Sequence, residues 1–345
     1  MSRRFFSSLG VLAAAALVAS LMSAPLAGQS KTGTTPTKAA EWTPPRTAWG
    51  TPDLQGVWDY RNITPLERPD RLAGKQVLTD EEAAEFEQEE NRRQNRDLVD
   101  PKKGGAGYPP ESEGGVVPYN EFWYDRGSKV VGSKRSSLIV DPPDGRVPPL
   151  TQEAQQTAST RARGNRDAAA GPEDRNLWER CITRDLPRLS GAYNNNVQLV
   201  QGPGYVLVIH EMVHDARVVP LDGRPHLPQS IRQWMGDSRG RWEGNTLVVD
   251  TTNFTPKTNF RGSRENLHLV ERFTLVDANT LRYEFTVDDS ATWTRPWTAE
   301  FPMTRNPEPM YEYACHEGNH GMQGILAGAR TLEKAAAEGA RKGSR

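Results

Sequence analysis

Beyond residues 9–22 the sequence lacks any apolar run of the length, about 18 residues, that a bilayer-crossing helix needs. Stable membrane insertion of the remainder is therefore not expected. Cysteine is scarce: Cys181 and Cys315 are the only two. A disulfide framework cannot carry a chain this long, so the fold must rest on a hydrophobic core. No sign of charge is in excess, with 43 Lys and Arg against 44 Asp and Glu. That balance removes the electrostatic reason to expect nucleic acid or an anionic membrane as partner. Nucleophile elbow, P-loop and dinucleotide fingerprint are all missing, and Gly202-Pro203-Gly204 reads as a turn, not a phosphate cradle. No internal repeat is visible, and no cofactor is expected.

The start of the chain carries an export signal. Arg3-Arg4-Phe5-Phe6 precedes the apolar stretch 9–22, and Ser23-Ala24-Pro25-Leu26-Ala27 supplies small residues for cleavage. The two arginines fit a twin-arginine signal, although Ser7-Ser8 replaces the usual Leu-Lys. A general secretory signal is the equal alternative. Removing residues 1–27 takes basic residues from 43 to 41 against 44 acids, a net charge of −3. The location implied is periplasmic or extracellular. In an oxidising compartment Cys181 and Cys315 are expected to pair. The chain-entropy model values such a long loop at roughly 4–5 kcal/mol.

Residues 28–48, rich in Thr, Lys, Pro and Gly, read as a flexible leader. Residues 49–195 read as a helix- and loop-rich segment that opens with a first strand at Asp53-Leu54-Gln55-Gly56-Val57-Trp58 and wraps the body that follows. Within it, Thr79-Asp80-Glu81-Glu82 is a capping box that starts a charged surface helix to about Arg96. Thr151 caps a second polar helix to about Arg163. Asp141-Pro142-Pro143-Asp144-Gly145 turns a hairpin between 137–140 and 146–147. Residues 196–318 are dense in β-branched and aromatic residues cut by turn signals, which predicts about eight antiparallel strands, the last over 310–315. Residues 319–345 are rich in Ala, Lys and Glu, and form a terminal helix or tail.

Four groups of residues in the body carry chemistry. His210-Glu211-Met212-Val213-His214 spells a zinc-protease motif, which works only on a helix. The run before it, Tyr205-Val206-Leu207-Val208-Ile209, predicts a strand continuing to about His214. That puts the two imidazoles roughly 13 Å apart, four residues at about 3.3 Å each. Zinc is not expected, and the remaining metal alternative is copper held by His210, Met212 and His214 on one strand face. The second group flanks Asp277-Ala278-Asn279. A three-residue loop with Asn279 left-handed pairs Val276 with Thr280, Arg272 with Glu284 and His268 with Asp288, all four of these last on one face. That face is either a solvated ion-pair surface or a polar lumen in which Asp288 orients His268 for proton transfer. Glu271 stands in the apolar row, where burial would favour a general acid. Third, Asp222-Gly223 turns the chain so that Arg224 and His226 sit at the mouth of the body. Fourth, His316 and His320 have helical metal spacing, but Cys315 in a bridge is no thiolate ligand.

Thr51-Pro52-Asp53-Leu54-Gln55-Gly56-Val57-Trp58, 138–146, Asp222-Gly223-Arg224-Pro225-His226, 240–250 and Glu271-Arg272-Phe273 together resemble a large family of uncharacterised secreted bacterial proteins, over most of 51–318. The resemblance implies export and no particular activity. Relatives vary at His210, His214 and His320, which weakens the metal alternatives. Gly56-Val57-Trp58 is similar to the Gly-x-Trp that opens the first strand of lipocalins. With the strand pattern that follows, it implies an antiparallel up-and-down, lipocalin-like barrel with an α/loop-rich N-terminal extension. The function expected is binding of a small organic molecule in the barrel mouth and its transformation by acid-base chemistry, as a hydrolase, lyase or isomerase. His226, His268, Glu271 and Asp288 would be catalytic, and Arg224, Arg272, Glu284 and Asp222 would hold the substrate. Two alternatives stay open: a binding protein without catalysis, and a metalloprotein using His210 and His214.

Overall fold

A computed structural model describes residues 42–105, 107–113, 119–164 and 169–343, with the side chains of 159–164 and 343 left out. The expected signal segment 1–27 and the leader up to 41 lie outside the described residues. The last residues assigned to the leader, 42–48, form a turn in which Arg46 bridges to Pro52 and Thr47 N donates to Thr51 O at 2.9 Å.

Ten strands form one antiparallel sheet. They are β1 (Gly56–Asp59), β2 (Ile139–Asp141), β3 (Asn196–Gly202), β4 (Tyr205–His210), β5 (Ala216–Pro220), β6 (Asp237–Glu243), β7 (Thr246–Thr252), β8 (His268–Asp277), β9 (Thr280–Asp288) and β10 (Trp297–Asn306). Among the described residues three α-helices accompany them: α1 (Asp80–Gln94), α2 (Gln152–Gly164) and α3 (His320–Gly343). The hydrogen-bonded order is β5-β4-β3-β1-β10-β9-β8-β7-β6, with β2 added against β10. Most neighbours are consecutive in sequence, as an up-and-down meander requires. The exception is β1, which sits between β10 and β3, with Trp58 opposite both Arg305 and Val197.

The sheet is not closed into a barrel. β5 and β6 run alongside each other at the two ends of the order without pairing. Two local features account for this. Pro220 has no N–H to offer a further strand. Side chains also occupy the seam: a Cβ at Gly240 on β6 would meet Val219 Cγ1 at 2.8 Å and Leu221 Cδ2 at 2.5 Å.

Side-chain alternation gives the sheet one apolar face, which is the core. Leu199, Val208, Val219, Val249, Leu269, Phe273, Phe285 and Phe301 are all buried there. Aromatic rings pack edge to face within it, Tyr283 against Phe301 at 5.2 Å and Trp293 against Trp297 at 5.7 Å. Trp58 is fully buried, donates Nε1 to Leu54 O at 3.0 Å, and lies under the Arg305 guanidinium at 4.3 Å.

The β8–β9 pairing follows the expected register for Leu275↔Leu281, Arg272↔Glu284 and His268↔Asp288. The turn itself differs. Asp277 pairs with Thr280, Val276 is bulged out, and Asn279 is not left-handed. Asp277 Oδ1 accepts from Asn279 N at 2.8 Å, which tightens the loop to two residues.

The N-terminal helix starts with the expected reciprocal cap: Thr79 Oγ1 accepts from Glu82 N at 3.2 Å, and Glu82 Oε2 accepts from Thr79 N at 2.9 Å. Thr151 Oγ1 likewise accepts from Ala154 N at 3.1 Å at the head of α2. Three expectations need correction. Residues 137–147 do not pair as a hairpin, because Ile139–Asp141 pairs with β10 instead. Residues 310–315 are not a strand, and Cys315 within them is held by a disulfide to Cys181. β4 stops at His210 rather than continuing to His214.

Candidate functional site

The outer face of β6, β7 and β8 carries a row of histidines and aspartates. Alternation puts Asp237 and Arg239 of β6, Asp250 of β7 and His268 of β8 on this face, with Arg239 opposite Asp250. His226 arrives from the connection 221–236. Hydrogen bonds around His226 hold that stretch down, among them Arg239 Nε to Pro225 O at 3.0 Å, Leu227 N to Asp237 Oδ2 at 2.9 Å, and Asn253 Nδ2 to Leu227 O at 2.8 Å. The imidazole of His226 is thereby fixed between two carboxylates. Its Nδ1 lies 3.0 Å from Asp237 Oδ2 and its Nε2 lies 3.0 Å from Asp250 Oδ1. The other oxygen of Asp250 lies 3.1 Å from His268 Nε2.

The result is a continuous row, Asp237–His226–Asp250–His268. It starts buried and ends in solvent, with side-chain exposure of 5%, 29%, 27% and 40% along it. The hydrogen bond to Asp250, against the opposing effect of partial burial, raises the pKa of His268 above the ordinary histidine value, and Asp288 adds to the rise. The same bond lowers the pKa of Asp250 below the ordinary carboxyl value. Both ring nitrogens of His226 thus face carboxylate oxygens, which fixes the orientation of the ring. Arg239 Nη1 adds a contact to Asp237 Oδ1 at 2.6 Å. Such a row connects the buried Asp237 to the exposed His268 through hydrogen bonds.

The structure thus brings His226 and His268 together through Asp250, a residue the sequence reading did not single out. Asp288 faces His268 across the strands, but the ring nitrogen bonds Asp250 instead. The reason is that Asp250 approaches from the neighbouring strand on the other side. Arg224 is engaged by Asp222 within its own turn, at 2.6 Å through Nε, and reaches neither histidine in the hydrogen bonds formed. Arg272 pairs with Glu243 at 2.9 Å and stands 3.7 Å from Glu284, further along the same outer face.

Glu271 lies on the opposite, inner face at 1% exposure. It is not a free general acid. Both its oxygens accept from Arg217, at 2.7 and 3.0 Å, and Tyr283 Oη donates to it at 2.8 Å. Burial pushes the Tyr283 phenol well above its ordinary value.

The His-Glu-x-x-His string does not form a shared face. Val213 and His214 adopt left-handed backbone, with φ of 65° and 45°, in a short turn after β4. His210 consequently points into the body, whereas His214 lies outside with Nδ1 2.9 Å from Tyr313 O. Glu211 accepts from Asn196 Nδ2 at 2.8 Å. The copper alternative on His210, Met212 and His214 fails for the same reason. Among the described residues no three His, Cys, Asp or Glu side chains are grouped to hold a metal ion.

A cleft of about 680 Å³ opens along the β5–β6 seam, lined by Arg217, Arg232, Trp234, Met235, Asp237 and Ser238 among others. Asp237 therefore belongs both to this cleft and to the histidine row. A second cleft of about 600 Å³ lies beside α1, but the charged groups on it, such as Arg93 and Glu90, pair with each other.

Sequence reasoning missed Asp237, Asp250 and Arg217. The turn Glu243-Gly244-Asn245 was a usable signal for Asp250, since the β6–β7 register it sets puts Asp250 opposite Arg239. Among the described residues no helix is long and apolar enough to cross a membrane. Comparison with protein-family models and with curated proteins gives no match for this chain.

Proposed function

We propose that the protein is exported and binds a small organic molecule in the cleft at the β5–β6 seam. It transforms that molecule by acid-base chemistry, with no cofactor, as a hydrolase, lyase or isomerase. The observation that carries this reading is the placement of His226, bonded through both ring nitrogens to Asp237 and Asp250, with Asp250 shared by His268. A carboxylate that holds an imidazole in a fixed orientation suits it to proton transfer at an organic centre. Asp237 on the wall of the seam cleft supplies the link to a bound molecule. The near-complete meander, and Trp58 buried under Arg305, support a lipocalin-like origin for the body. The disulfide supports export.

The test has two stages. The protein is screened for thermal stabilisation by a library of small organic acids, esters and lactones, and hits are then followed for turnover. Turnover that falls at least a hundredfold in His226→Asn and His268→Asn, with binding kept, is expected. Binding without turnover in the wild type would leave a binding protein. Turnover untouched in both variants would remove the row from the mechanism.

A further inference from the structure

The end of the β body where β4 gives way to β5 is closed by residues 183–195. Asp215 organises this closure. It accepts from Thr183 Oγ1 at 2.8 Å and Arg184 N at 3.2 Å, it pairs with Arg188, and its carbonyl accepts from His210 N at 2.8 Å. Arg217, two residues on and facing the same interior, pairs with Glu271. The side chains of Arg188 and Arg217 are each 4% exposed, and residue His210 is also 4% exposed.

These three side chains keep several polar atoms without any partner. They are Nε and Nη1 of Arg188, Nε of Arg217, and both ring nitrogens of His210. Buried donors of this kind are costly unless something accepts from them, and native proteins rarely leave them empty. The unmet groups are mostly donors, because a guanidinium has no acceptor and a neutral imidazole has one. The carboxylates nearby are already committed, Asp215 to Arg188 and Glu271 to Arg217. The charges that act on the His210 ring are the two guanidiniums. Asp185, whose Oδ1 is also unpartnered, acts on Arg188. The unpartnered groups nearest the imidazole are thus mostly donors, on guanidiniums whose charges act on the ring.

We propose that a small monovalent anion, a carboxylate such as formate or a halide, occupies the buried space between Arg188, His210 and Arg217. Two fixed guanidinium edges and an imidazole N–H give it charge-assisted hydrogen bonds. Arg217 is also one of the residues lining the seam cleft. The inference does not rest on the outer histidine row.

The mature protein is titrated with sodium formate or sodium bromide against sodium gluconate at constant ionic strength, and its unfolding midpoint is followed. A saturable rise with formate and bromide is expected. In His210→Leu the half-saturating concentration should rise at least tenfold. Should that variant not fold, crystals of the wild type soaked in bromide provide the second measurement, with an anomalous peak expected between Arg188 and Arg217. No saturable response in the wild type, an unchanged response in a folded His210→Leu, or ordered water alone at the position in bromide-soaked crystals would overturn the proposal.

Discussion

Asp250 touches both histidines of the outer row. The raised pKa of His268 means that their contact stabilises the fold fully below the ordinary histidine value of 6.5. That contribution is lost as pH rises through the raised value. The lowered pKa of Asp250 sets the other limit: the contact is fully present above 3.8 and fades as pH falls through the lowered value. In Asp250→Asn the imidazole of His268, followed by NMR, should therefore titrate at a lower pH than in the wild type. An unchanged midpoint would show that the two groups do not interact in solution. Glu271 offers a second test on the inner face. Glu271→Gln strands the buried charge of Arg217, and about 3–5 kcal/mol of stability should be lost in urea unfolding. Replacing both partners, Arg217→Met with Glu271→Leu, should recover most of that loss, because neither charge of this pair is then left buried without its partner. At this scale the sequence was half informative. His226 and His268 were visible as candidates, since histidines beside turns and on polar faces stand out. Their partners were not, because Asp237 and Asp250 come from two different strands and meet His226 only through the path of the connection 221–236.

Among the elements, legibility followed side-chain alternation. β8 and β9 alternate apolar and polar residues, interrupted in the apolar row by Glu271, and the register expected from a three-residue loop holds because the bulge at Val276 offsets the shorter turn. β6, Asp-Ser-Arg-Gly-Arg-Trp-Glu, has almost no apolar row, because its inner side carries Ser238 and Gly240 against the seam. Nothing in its pattern separates it from a loop. The end of β4 was misjudged for a related reason: Met212 and Val213 continue an apolar run, but Val213 is left-handed, which a β-branched residue adopts only under tertiary constraint. Gly236, just before β6, is a position where backbone conformation and a close contact both require glycine. Its φ is 68°, and a Cβ there would meet Thr252 O at 2.5 Å. Gly236→Ala should cost about 1–3 kcal/mol and disturb the wall of the seam cleft. Gly244 has φ of 61° but open space around it, so Gly244→Ala should cost only about 1 kcal/mol from the conformation alone. Equal losses in the two variants, read by urea unfolding, would show that the contact with Thr252 is not formed.

Across the whole molecule, the disulfide ties the segment after β10 to the segment before β3, Cys181 and Cys315 standing 134 positions apart. The double variant Cys181→Ala, Cys315→Ala should lose up to about 4–5 kcal/mol by the chain-entropy model, and the loss should match that of the reduced wild type. A double variant as stable as the oxidised protein would show that the bridge constrains little. The pairing was legible because only one was available. The unclosed sheet was not, since the seam depends on Pro220 and Gly240 facing each other across a connection whose course no local pattern sets. The position of β1 has a consequence for assembly. It is four residues long, and it alone joins the three-strand group β3–β5 to the five-strand group β6–β10. One of its partners follows after more than a hundred residues, and the other forms at the far end of the body. Both groups can form as local meanders, but they cannot become one sheet until β10 is available. The union is therefore a late, long-range event of the kind that slows folding. A chain truncated before β10 should yield two separate, loosely held meanders rather than a smaller version of the protein.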